Sequence, residues 1–574
     1  MASSSQRPAK STRRAQFVLA DSIIDNSDSD SNFSDVNLMD FDISDGSSDD
    51  DASVVGPRDD GGDAISNDGV WTVIRNLTND KCPNVNDFTS PIGPVFVPPE
   101  ATAVDYFERF FAPTEQGGVS LWEHLVIETN KYKEYYTRNK QVLKQHSKVH
   151  KWKDVTEEQM KAFIGTILNM GINRKKTIES YWDSTNWSQI VPPFKETFTQ
   201  DTFKLILRFF HVSDSDQEPE KGTPEYDQLY KFRPVLEHLN KAWQKEFNLG
   251  HVLSIDESIV GFKGRHPLVN YIRIKKHHQW GPKEYNLCDS ATGYCSQTMY
   301  HTKGMTKGVS GQPFSVCEAL MEPHINKNHH LIVDNYYTSV DLCEKFLTKG
   351  TYVTGTVRAG RVKLPNEMKV KMKNKGEILA SRKGNLLAVS WVDRKQVRLL
   401  STCSTANMVE KEVFNGTRKV PQVVVDYNSG MGGVDQSDQM TDQYSGEFRT
   451  VKLWKKVVLH LIDRTATNAY TCYKANPNIV GKKMDHHRFL IQLVEGLIGD
   501  YREPRKHVGR PSCSPVARKT ARHFLEVIPD GKRKKCTVCA KPRGQGYKGS
   551  RIGTWCKDCG VGLCKGACFN SYHT

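Results

Sequence analysis

The segment HVLSIDESIVGFK, residues 251–263, decides the fold, because here the hydrophobic pattern changes from helical to alternating. Leu253 and Ile255 point to one side of a predicted strand, and Ser254 and Asp256 point to the other. Two short strands, EYNLC and CSQTMYH, then flank a glycine-containing turn and predict a hairpin. They are followed by a helix in FSVCEALMEPH, a buried strand in HHLIVD, a helix in SVDLCEKFLTKG and a last strand in TYVTGTV.

This order of three strands, helix, strand, helix and strand predicts an α/β fold with an RNase H-like catalytic core. Right-handed crossovers place the first and fourth strands side by side, so we expect Asp256 and Asp334 at the same end of the sheet. Asp435 opens a helix in MGGVDQSDQM, where Gly432 and Gly433 permit a close approach of the backbone. The fold would therefore gather three acids that are far apart in the chain.

Three carboxylates gathered in this way suit the site of a two-metal nuclease. Two divalent ions ~3.5–4 Å apart hold the attacking and leaving oxygens of an in-line phosphoryl transfer, and carboxylate oxygens bind Mg²⁺ or Mn²⁺ well. We therefore predict that Asp256, Asp334 and Asp435 bind Mg²⁺ or Mn²⁺. Asp438 shares a helix face with Asp435 and is preferred over Glu257 as a helper. Taken alone, an aspartate that ends a strand is more often a turn or cap residue.

The charge of the chain favours a polyanionic partner. The 574 residues carry a net charge of +14. Residues 21–63 contain 14 acidic residues and one basic residue, a net charge of −13, so the rest of the chain carries +27. A body this basic attracts DNA phosphate, although a merely soluble basic protein has the same composition. No apolar run approaches the ~20 residues of a membrane span, so no membrane partner is expected.

Composition and periodicity divide the chain into eight segments. The first is rich in Ser, Asp and Gly and too poor in apolar residues to fold. In the second, Thr156 and Gln159 form a predicted capping box at the start of a helix. The segments are a disordered acidic tail (1–95), a first helical segment (96–250), the first part of the catalytic core (251–357), an inserted β domain (358–421), the second part of the core (422–445), a second helical segment that returns to pack with the first (446–505), a basic linker (506–522) and a Cys/His-rich domain (523–574).

The cysteine and histidine residues near the C-terminus predict a structural zinc domain. Ligands with C-x2-C spacing bind Zn²⁺ tetrahedrally. Seven ligands are evident and His523 is the candidate for an eighth, as two four-coordinate ions require; the pairing stays open. A RING- or PHD-type module is the alternative, but those domains normally place a histidine inside the cysteine series. The candidate zinc ligands are Cys536, Cys539, Cys556, Cys559, Cys564, Cys568, His573 and His523.

Four motifs together resemble the piggyBac family of DNA transposases, from about residue 100 onward: IDESIVGFKGR, IVDNYYTS, GGVDQSDQM with the later Trp454, and a terminal run ending in CFNSYHT. The resemblance implies that Asp256, Asp334 and Asp435 form a catalytic triad, with Asp438 as a further acid beside it. It also implies a helical dimerisation and DNA-binding domain in two segments, and a Cys/His domain that recognises transposon ends. The implied reaction on double-stranded DNA nicks both ends, forms hairpins and joins the freed 3′-OH groups to TTAA sites.

Several residues are candidates for contact with DNA in a nuclear homodimer. Trp454 would stack on a splayed base or, alternatively, lie in the core, since it falls on the apolar stripe of its helix. Arg510 lies in a GRP sequence like the centre of an AT-hook, although a plain basic linker is the favoured alternative. A domesticated transposase that binds DNA without cutting it is the rival function. Phosphate contacts are expected from Lys263, Arg265, Lys283, Arg449 and Lys452.

Overall fold

The fold is mixed α/β, and a computed structural model describes most of it. No helix within the described part of the chain is both long and apolar enough to cross a membrane. The predicted acidic tail up to residue 69, Arg449, Arg510 and the linker 506–522 lie outside that part. The described residues are 70–82, 85–139, 145–273, 278–302, 312–413, 416–446, 450, 452–503, 523–539 and 551–573.

Most strands belong to one mixed sheet, and the others form small sheets of two or three strands. In chain order the strands are β1 (Thr72–Val73), β2 (Gly93–Pro94), β3 (Phe247–Asn248), β4 (Val252–Ile259), β5 (Val269–Tyr271), β6 (Trp280–Asp289), β7 (Cys295–Tyr300), β8 (His330–Val333), β9 (Tyr352–Thr356), β10 (Ile378–Lys383), β11 (Leu386–Val392), β12 (Gln396–Ser401), β13 (Met408–Val413), β14 (Gly416–Pro421), β15 (Leu525–Val527), β16 (Lys534–Lys535), β17 (Arg551–Ile552), β18 (Thr554–Cys556) and β19 (Val561–Gly562).

Along the chain, helices come before, between and after the central strands of the main sheet. Several begin at a polar cap, and the predicted capping box is confirmed: the Thr156 hydroxyl accepts from the Gln159 N–H at 3.3 Å and the Gln159 side chain accepts from the Thr156 N–H at 3.2 Å. In chain order the helices are α1 (Ala103–Glu108), α2 (Leu121–Asn139), α3 (Glu157–Ile172), α4 (Pro192–Thr197), α5 (Gln200–Phe209), α6 (Arg233–Glu246), α7 (Gln312–Met321), α8 (Val340–Thr348), α9 (Gln422–Gly430), α10 (Gly433–Gln443), α11 (Leu453–Ala475), α12 (His486–Ile498) and α13 (Ala567–His573).

The main sheet has the order β1-β10-β11-β12-β9-β8-β4-β6-β5, with β7 paired to β6. At its centre β4 is parallel to β8 and antiparallel to β6, and β8 is parallel to β9. The predicted adjacency of the first and fourth strands of the core, β4 and β8, is therefore confirmed. All four residues of β8 are buried, as expected for a short apolar strand that is covered on both faces.

The two helical segments pack together, as predicted. The α11 helix is buried along nearly its whole length and contacts α1, α6, α10 and α12. The indole of Trp243 on α6 has no exposed surface, and its Nε1 donates to Thr465 Oγ1 at 3.2 Å. Because the buried indole N–H has a partner, the contact is both apolar and polar. One continuous core thus joins residues far apart in sequence.

The predicted disordered tail is wrong at its C-terminal end, because residues 70–95 contain ordered elements that pair with the body. Strand β1 pairs with β10. The Asp80 carboxylate accepts two hydrogen bonds from the guanidinium of Arg382, at 2.9 and 2.6 Å, and one from the Ala406 N–H at 2.7 Å. Local composition cannot predict a bidentate ion pair between residues about 300 positions apart.

The predicted inserted β domain is also corrected. Strands β10, β11 and β12 form no separate sheet, because β12 pairs with β9 and thus extends the main sheet. Only the β13–β14 hairpin forms a sheet of its own in residues 358–421, as far as these are described. Strands in this segment are confirmed, but β12 takes its partner outside the segment, at the otherwise open edge of β9.

Candidate active site and Cys/His centres

Asp256 and Asp334 lie next to each other at one level of the sheet. In the parallel pair of β4 and β8, Ile255 is in register with Val333. The next residue in each segment is an aspartate, Asp256 within β4 and Asp334 directly after β8, so the two acids lie at the same level of the sheet. This is the meeting of the two acids that the strand order predicted.

Asp435 reaches the same region from α10, in the first turn of that helix. A methyl group on Gly433 would lie 2.5 Å from Ser254 Oγ and 2.9 Å from Ser290 Cα, so only glycine allows this approach to β4. A methyl group on Gly432, in contrast, would meet nothing within 4 Å. Of the two glycines that the sequence singled out, Gly433 is therefore the one at the contact between α10 and β4.

Tyr427 of α9 is 3% exposed and lies near all three acids. Burial raises the pKa of the Tyr427 phenol, and the nearby carboxylates of Asp334, Asp256 and Asp435 raise it further. Nothing in the sequence marked this tyrosine, because its neighbours form an ordinary amphipathic turn.

The acid cluster is more open than a closed single-ion site. Among the described residues, the sets of three or more His, Cys, Asp or Glu ligand atoms that lie within 4.8 Å of one another are both in the C-terminal domain. Two ions ~3.5–4 Å apart need carboxylates that are spread over both ions, with other positions left for water and phosphate oxygens. Hard carboxylate oxygens fit Mg²⁺ or Mn²⁺ in this role.

The electrostatics of Asp334 suit a group that binds a cation. Burial, together with the neighbouring Glu257 carboxylate, raises the pKa of Asp334 to about 6. The backbone N–H of Tyr336 donates to Asp334 Oδ1 at 2.8 Å and offsets part of this effect. A raised pKa means that the negative charge is poorly compensated by the protein, a condition that a bound cation relieves.

Glu257 occupies the next position on β4 but has partners in the protein. Tyr337 donates its hydroxyl to Glu257 Oε2 at 3.2 Å, and Lys283 Nζ lies 3.7 Å from Glu257 Oε1. The Lys283 ammonium also lies over the rings of Tyr285 and Tyr336, 4.9 and 4.8 Å from their centroids. Lys283, predicted as a phosphate contact, therefore lies beside the acids, and its side chain is 14% exposed.

Asp438 is held by two neighbours on different elements. Arg464 Nη2 donates to Asp438 Oδ1 at 3.1 Å, and the Ser258 hydroxyl donates to Asp438 Oδ2. Because both carboxylate oxygens accept a hydrogen bond, this residue fastens α10 to β4 and to α11. Asp438, the predicted helper acid, therefore holds α10 in position from one helical turn after Asp435.

The Arg464 side chain is the centre of a fully buried polar network. It donates from Nη2 to Glu284 Oε1 at 2.6 Å and from Nη1 to Asn286 Oδ1 and Thr298 Oγ1, both at 3.0 Å. Neither Arg464 nor Glu284 has exposed side-chain surface. Burial alone would raise the pKa of Glu284 and lower that of Arg464, but their attraction does the opposite for both.

His460, one turn before Arg464, completes the network. Its Nε2 lies 3.2 Å from Glu284 Oε1. Burial alone would lower the pKa of His460, but the Glu284 carboxylate raises it above its ordinary value. Sequence reasoning missed these residues, although two ionisable side chains on an otherwise apolar stripe of α11 were the available signal.

The C-terminal domain groups all eight predicted zinc ligands into two sets, which settles the pairing that the sequence left open. Within each set the ligand atoms lie within 4.8 Å of one another. His523 belongs to one of them, as expected for the eighth ligand. Because the sets alternate along the chain, each one ties distant turns together. The sets are His523, Cys556, Cys559 and His573, and Cys536, Cys539, Cys564 and Cys568.

Distances within the two sets match tetrahedral zinc. With Zn–S near 2.3 Å and Zn–N near 2.0–2.1 Å, a tetrahedron puts two sulfurs about 3.8 Å apart and sulfur about 3.6 Å from nitrogen. Cys539 Sγ lies 3.7 Å from Cys564 Sγ, and Cys559 Sγ lies 3.6 Å from His573 Nε2. His573 Nδ1 lies 2.9 Å from the Phe569 carbonyl, which holds the ring with Nε2 towards the set. The donor chemistry fits Zn²⁺.

Of the predicted DNA contacts, Trp454 is the one that the structure corrects. Its side chain is 7% exposed, and its ring centroid lies 4.6 Å from that of His211 and 6.5 Å from that of Phe210. Trp454 is therefore part of the helical core, which was the alternative interpretation, and presents no free face to a base. Lys263, Arg265 and Lys452 are exposed at the surface.

Known proteins resemble this chain in sequence and in fold. A family model described as Transposase IS4 matches residues 102–470. PiggyBac transposable element-derived protein 3 of Homo sapiens is 26% identical over 531 residues, 87% of this chain and 84% of that protein. PiggyBac transposable element-derived protein 5 of Homo sapiens is 23% identical over 426 residues, 70% of this chain and 76% of that protein. A cryo-EM structure of a piggyBac transposase synaptic complex with hairpin DNA shares the fold, with a TM-score of 0.63 and 21% identity over 83% of this chain and 99% of that one.

Proposed function

Because the chain belongs to the piggyBac-type transposase family, whose model matches residues 102–470, we propose that it is a cut-and-paste DNA transposase. It binds the terminal repeats of a transposon, cuts the element out through hairpin ends and joins it to TTAA sites. The single observation that carries this proposal is the convergence of three acids: Asp256 and Asp334 lie at the same level of neighbouring parallel strands, and Asp435 arrives on a helix that contacts β4 through Gly433.

In the proposed mechanism Asp256, Asp334 and Asp435 of an RNase H-like core would hold two Mg²⁺ or Mn²⁺ ions. Ions bound there would supply activation of the nucleophile and stabilisation of the departing 3′ oxygen. Asp438 positions α10 through its hydrogen bonds to Ser258 and Arg464. Nicking, hairpin formation, hairpin opening and joining are all in-line phosphoryl transfers, so one carboxylate cluster serves all four.

Other parts of the chain supply the contacts that the reaction needs. Lys263, Arg265 and Lys452 are exposed cations that would bind phosphate, and Lys283 beside Glu257 would approach the scissile phosphate. Arg449 and Arg510 stay proposed DNA contacts. We propose two structural zinc ions in the C-terminal domain, which would recognise the transposon ends. A homodimer acting in the nucleus completes the proposal.

The experiment that tests this function incubates the full chain and Mg²⁺ with DNA that bears the terminal repeats of its own element. We expect nicks and hairpins from the wild type, and neither product from Asp334→Asn. Asp216→Asn is the matched control, because Asp216 is a half-exposed surface carboxylate of the first helical segment, outside the proposed active site. Cleavage that survives Asp334→Asn would refute the assigned site.

A domesticated, DNA-binding protein is the second candidate. The observation that favours it is that the similar human proteins are named as transposable element-derived proteins. In that case the same experiment gives specific binding of the repeats without nicks or hairpins, with either Mg²⁺ or Mn²⁺.

A further inference from the structure

Tyr271 and Trp280 form an exposed aromatic pair at the tip of the β5–β6 hairpin. The two residues are register partners, their ring centroids lie 4.6 Å apart, and the ring planes differ by 37°. Tyr271 is 50% exposed and Trp280 is 48% exposed. Two aromatic rings that pack on each other and still face solvent offer a preformed apolar surface with little conformational freedom left to lose.

This pair differs from the other exposed aromatic side chains of the described residues. Trp187 is 87% exposed and Phe524 is 67% exposed, but each stands alone without a ring contact. Single exposed apolar residues are ordinary on protein surfaces. Tyr271 lies on the edge strand β5 and Trp280 on the neighbouring strand β6 of the sheet that carries the proposed active site. Folding does not explain this exposed pair, because neither ring is needed in the core.

The hairpin is a direct extension of the proposed catalytic strands. Asp256 is in register with Asn286, and further along the same ladder the Phe262 N–H donates to the Trp280 carbonyl at 2.8 Å. Six residues separate Trp280 from Asn286, which places the aromatic pair ~20 Å along the strand from the level of Asp256. At the 3.4 Å rise of B-DNA, this corresponds to about six base pairs of duplex between the cleavage position and the aromatic pair.

The charges around the pair favour a nucleic acid as the occupant. Lys263 and Arg265 lie four and six residues after the end of β4, and Arg273 lies two residues after Tyr271; all three are exposed. Aromatic faces rimmed by cations are the usual composition of a surface on which unpaired bases stack while phosphates track the rim. A second copy of the chain is a less favourable occupant, because docking through the same patch would bring two positively charged rims together.

We propose that Tyr271 and Trp280 form a stacking platform for a base of an unpaired nucleotide about six nucleotides from the cleavage position. The inference rests on the proposed function, since it takes the DNA strand to run from the acid cluster along β6. Stacking, unlike phosphate contact, discriminates unpaired from paired DNA, because paired bases have no free face. The platform would therefore select the distorted or single-stranded part of a transposon end.

Binding of the full-length chain to an oligothymidylate single strand and to a duplex tests the proposal. Trp280→Ala and Tyr271→Ala should each weaken single-strand binding about 5- to 150-fold, with a much smaller effect on duplex binding. Trp280→Phe should restore most of the affinity, and the salt dependence should stay unchanged because no cation is removed. The matched control is Trp187→Ala, which removes a more exposed indole elsewhere.

A 2-aminopurine substituted stepwise along a transposon-end DNA locates the platform. We expect quenching that peaks about six nucleotides from the cleavage position and disappears in Trp280→Ala. Alanine variants that bind the single strand within twofold of the wild type overturn the inference, whether or not the wild type cuts DNA. A change of oligomeric state in those variants, with unchanged binding, overturns it in favour of a second copy. If the wild type fails to cut DNA but shows the aromatic-dependent binding, the proposed function fails and the platform stands.

Discussion

Replacing Arg464 by methionine is predicted to destabilise the protein strongly, because it leaves a buried charge without its main partner. The Arg464 side chain is fully buried, and its Nη2 lies 2.6 Å from Glu284 Oε1. Arg464→Met retains much of the apolar volume but leaves the Glu284 carboxylate with His460 as its remaining charged neighbour. Breaking a buried ion pair from one side typically costs ~3–5 kcal/mol. We expect a loss of about that size in the free energy of unfolding, measured by urea denaturation and near-UV circular dichroism.

The double variant Arg464→Met/Glu284→Gln separates the charge from the packing. With the carboxylate neutralised, we expect recovery of more than half of the lost stability, since an uncompensated charge is no longer buried. The double variant still lacks the hydrogen bond from Arg464 to Asp438, which fastens α10. DNA cleavage should therefore stay low in the refolded double variant. A single variant within ~1 kcal/mol of the wild type, or a double variant with full cleavage activity, would refute the reasoning.

Four further predictions follow from the same structure. Asp334→Asn should raise the free energy of unfolding of metal-free protein by up to about 3 kcal/mol at pH 7, because the pKa of Asp334 is raised to about 6 and each unit corresponds to ~1.4 kcal/mol. The gain should vanish near pH 4, where the wild-type carboxyl is protonated in the folded state; a gain that is independent of pH would contradict this cause. Burial lowers the pKa of His324 and His330 to about 3 and of His329 to about 4, so the unfolded state binds more protons below pH ~6.5. Stability should therefore be full above pH 6.5 and fall by up to ~1.4 kcal/mol per group and pH unit towards pH 4, and His330→Gln should flatten that slope in urea titrations. Elemental analysis should find two zinc ions per wild-type chain. The variants His523→Ala and Cys539→Ala, which each remove a ligand from a different set, should each retain one zinc ion. A wild type with one zinc ion would remove His523 from the ligands. Trp454→Ala should cost ~3–5 kcal/mol of stability because its indole is buried, with Trp454→Phe much milder, whereas a base-stacking role predicts loss of DNA binding at unchanged stability.

The central part of the sheet could be predicted from the sequence, because each step depends on local pattern and on the handedness of crossovers. The alternation around Asp256 and the apolar run before Asp334 fixed two strands, and the crossover rule made them neighbours. Gly432 and Gly433 together predicted a close approach of the backbone at the start of α10, and the structure assigns that contact to Gly433.

The remaining features depend on contacts between residues that are distant in sequence, which no local pattern encodes. The bidentate pair of Asp80 and Arg382 orders a stretch that looked like part of an acidic tail. The extension of the sheet by β12 depends on the open edge of β9. Trp454 lay on an apolar stripe, so its burial was one of two readings, and only the packing against His211 decided between them.

Metal-specific rescue tests the central claim most directly, that Asp256, Asp334 and Asp435 bind the catalytic ions while Asp438 positions their helix. Each aspartate is replaced by cysteine, and cleavage of transposon-end DNA is measured with Mg²⁺ and with Mn²⁺. Mg²⁺ binds thiolate poorly and the softer Mn²⁺ accepts it better, so a true ligand position should lose activity in Mg²⁺ and regain it in Mn²⁺. We predict this rescue for Asp256→Cys, Asp334→Cys and Asp435→Cys and none for Asp438→Cys. Rescue at Asp438, or its absence at all three ligand positions, would contradict the account.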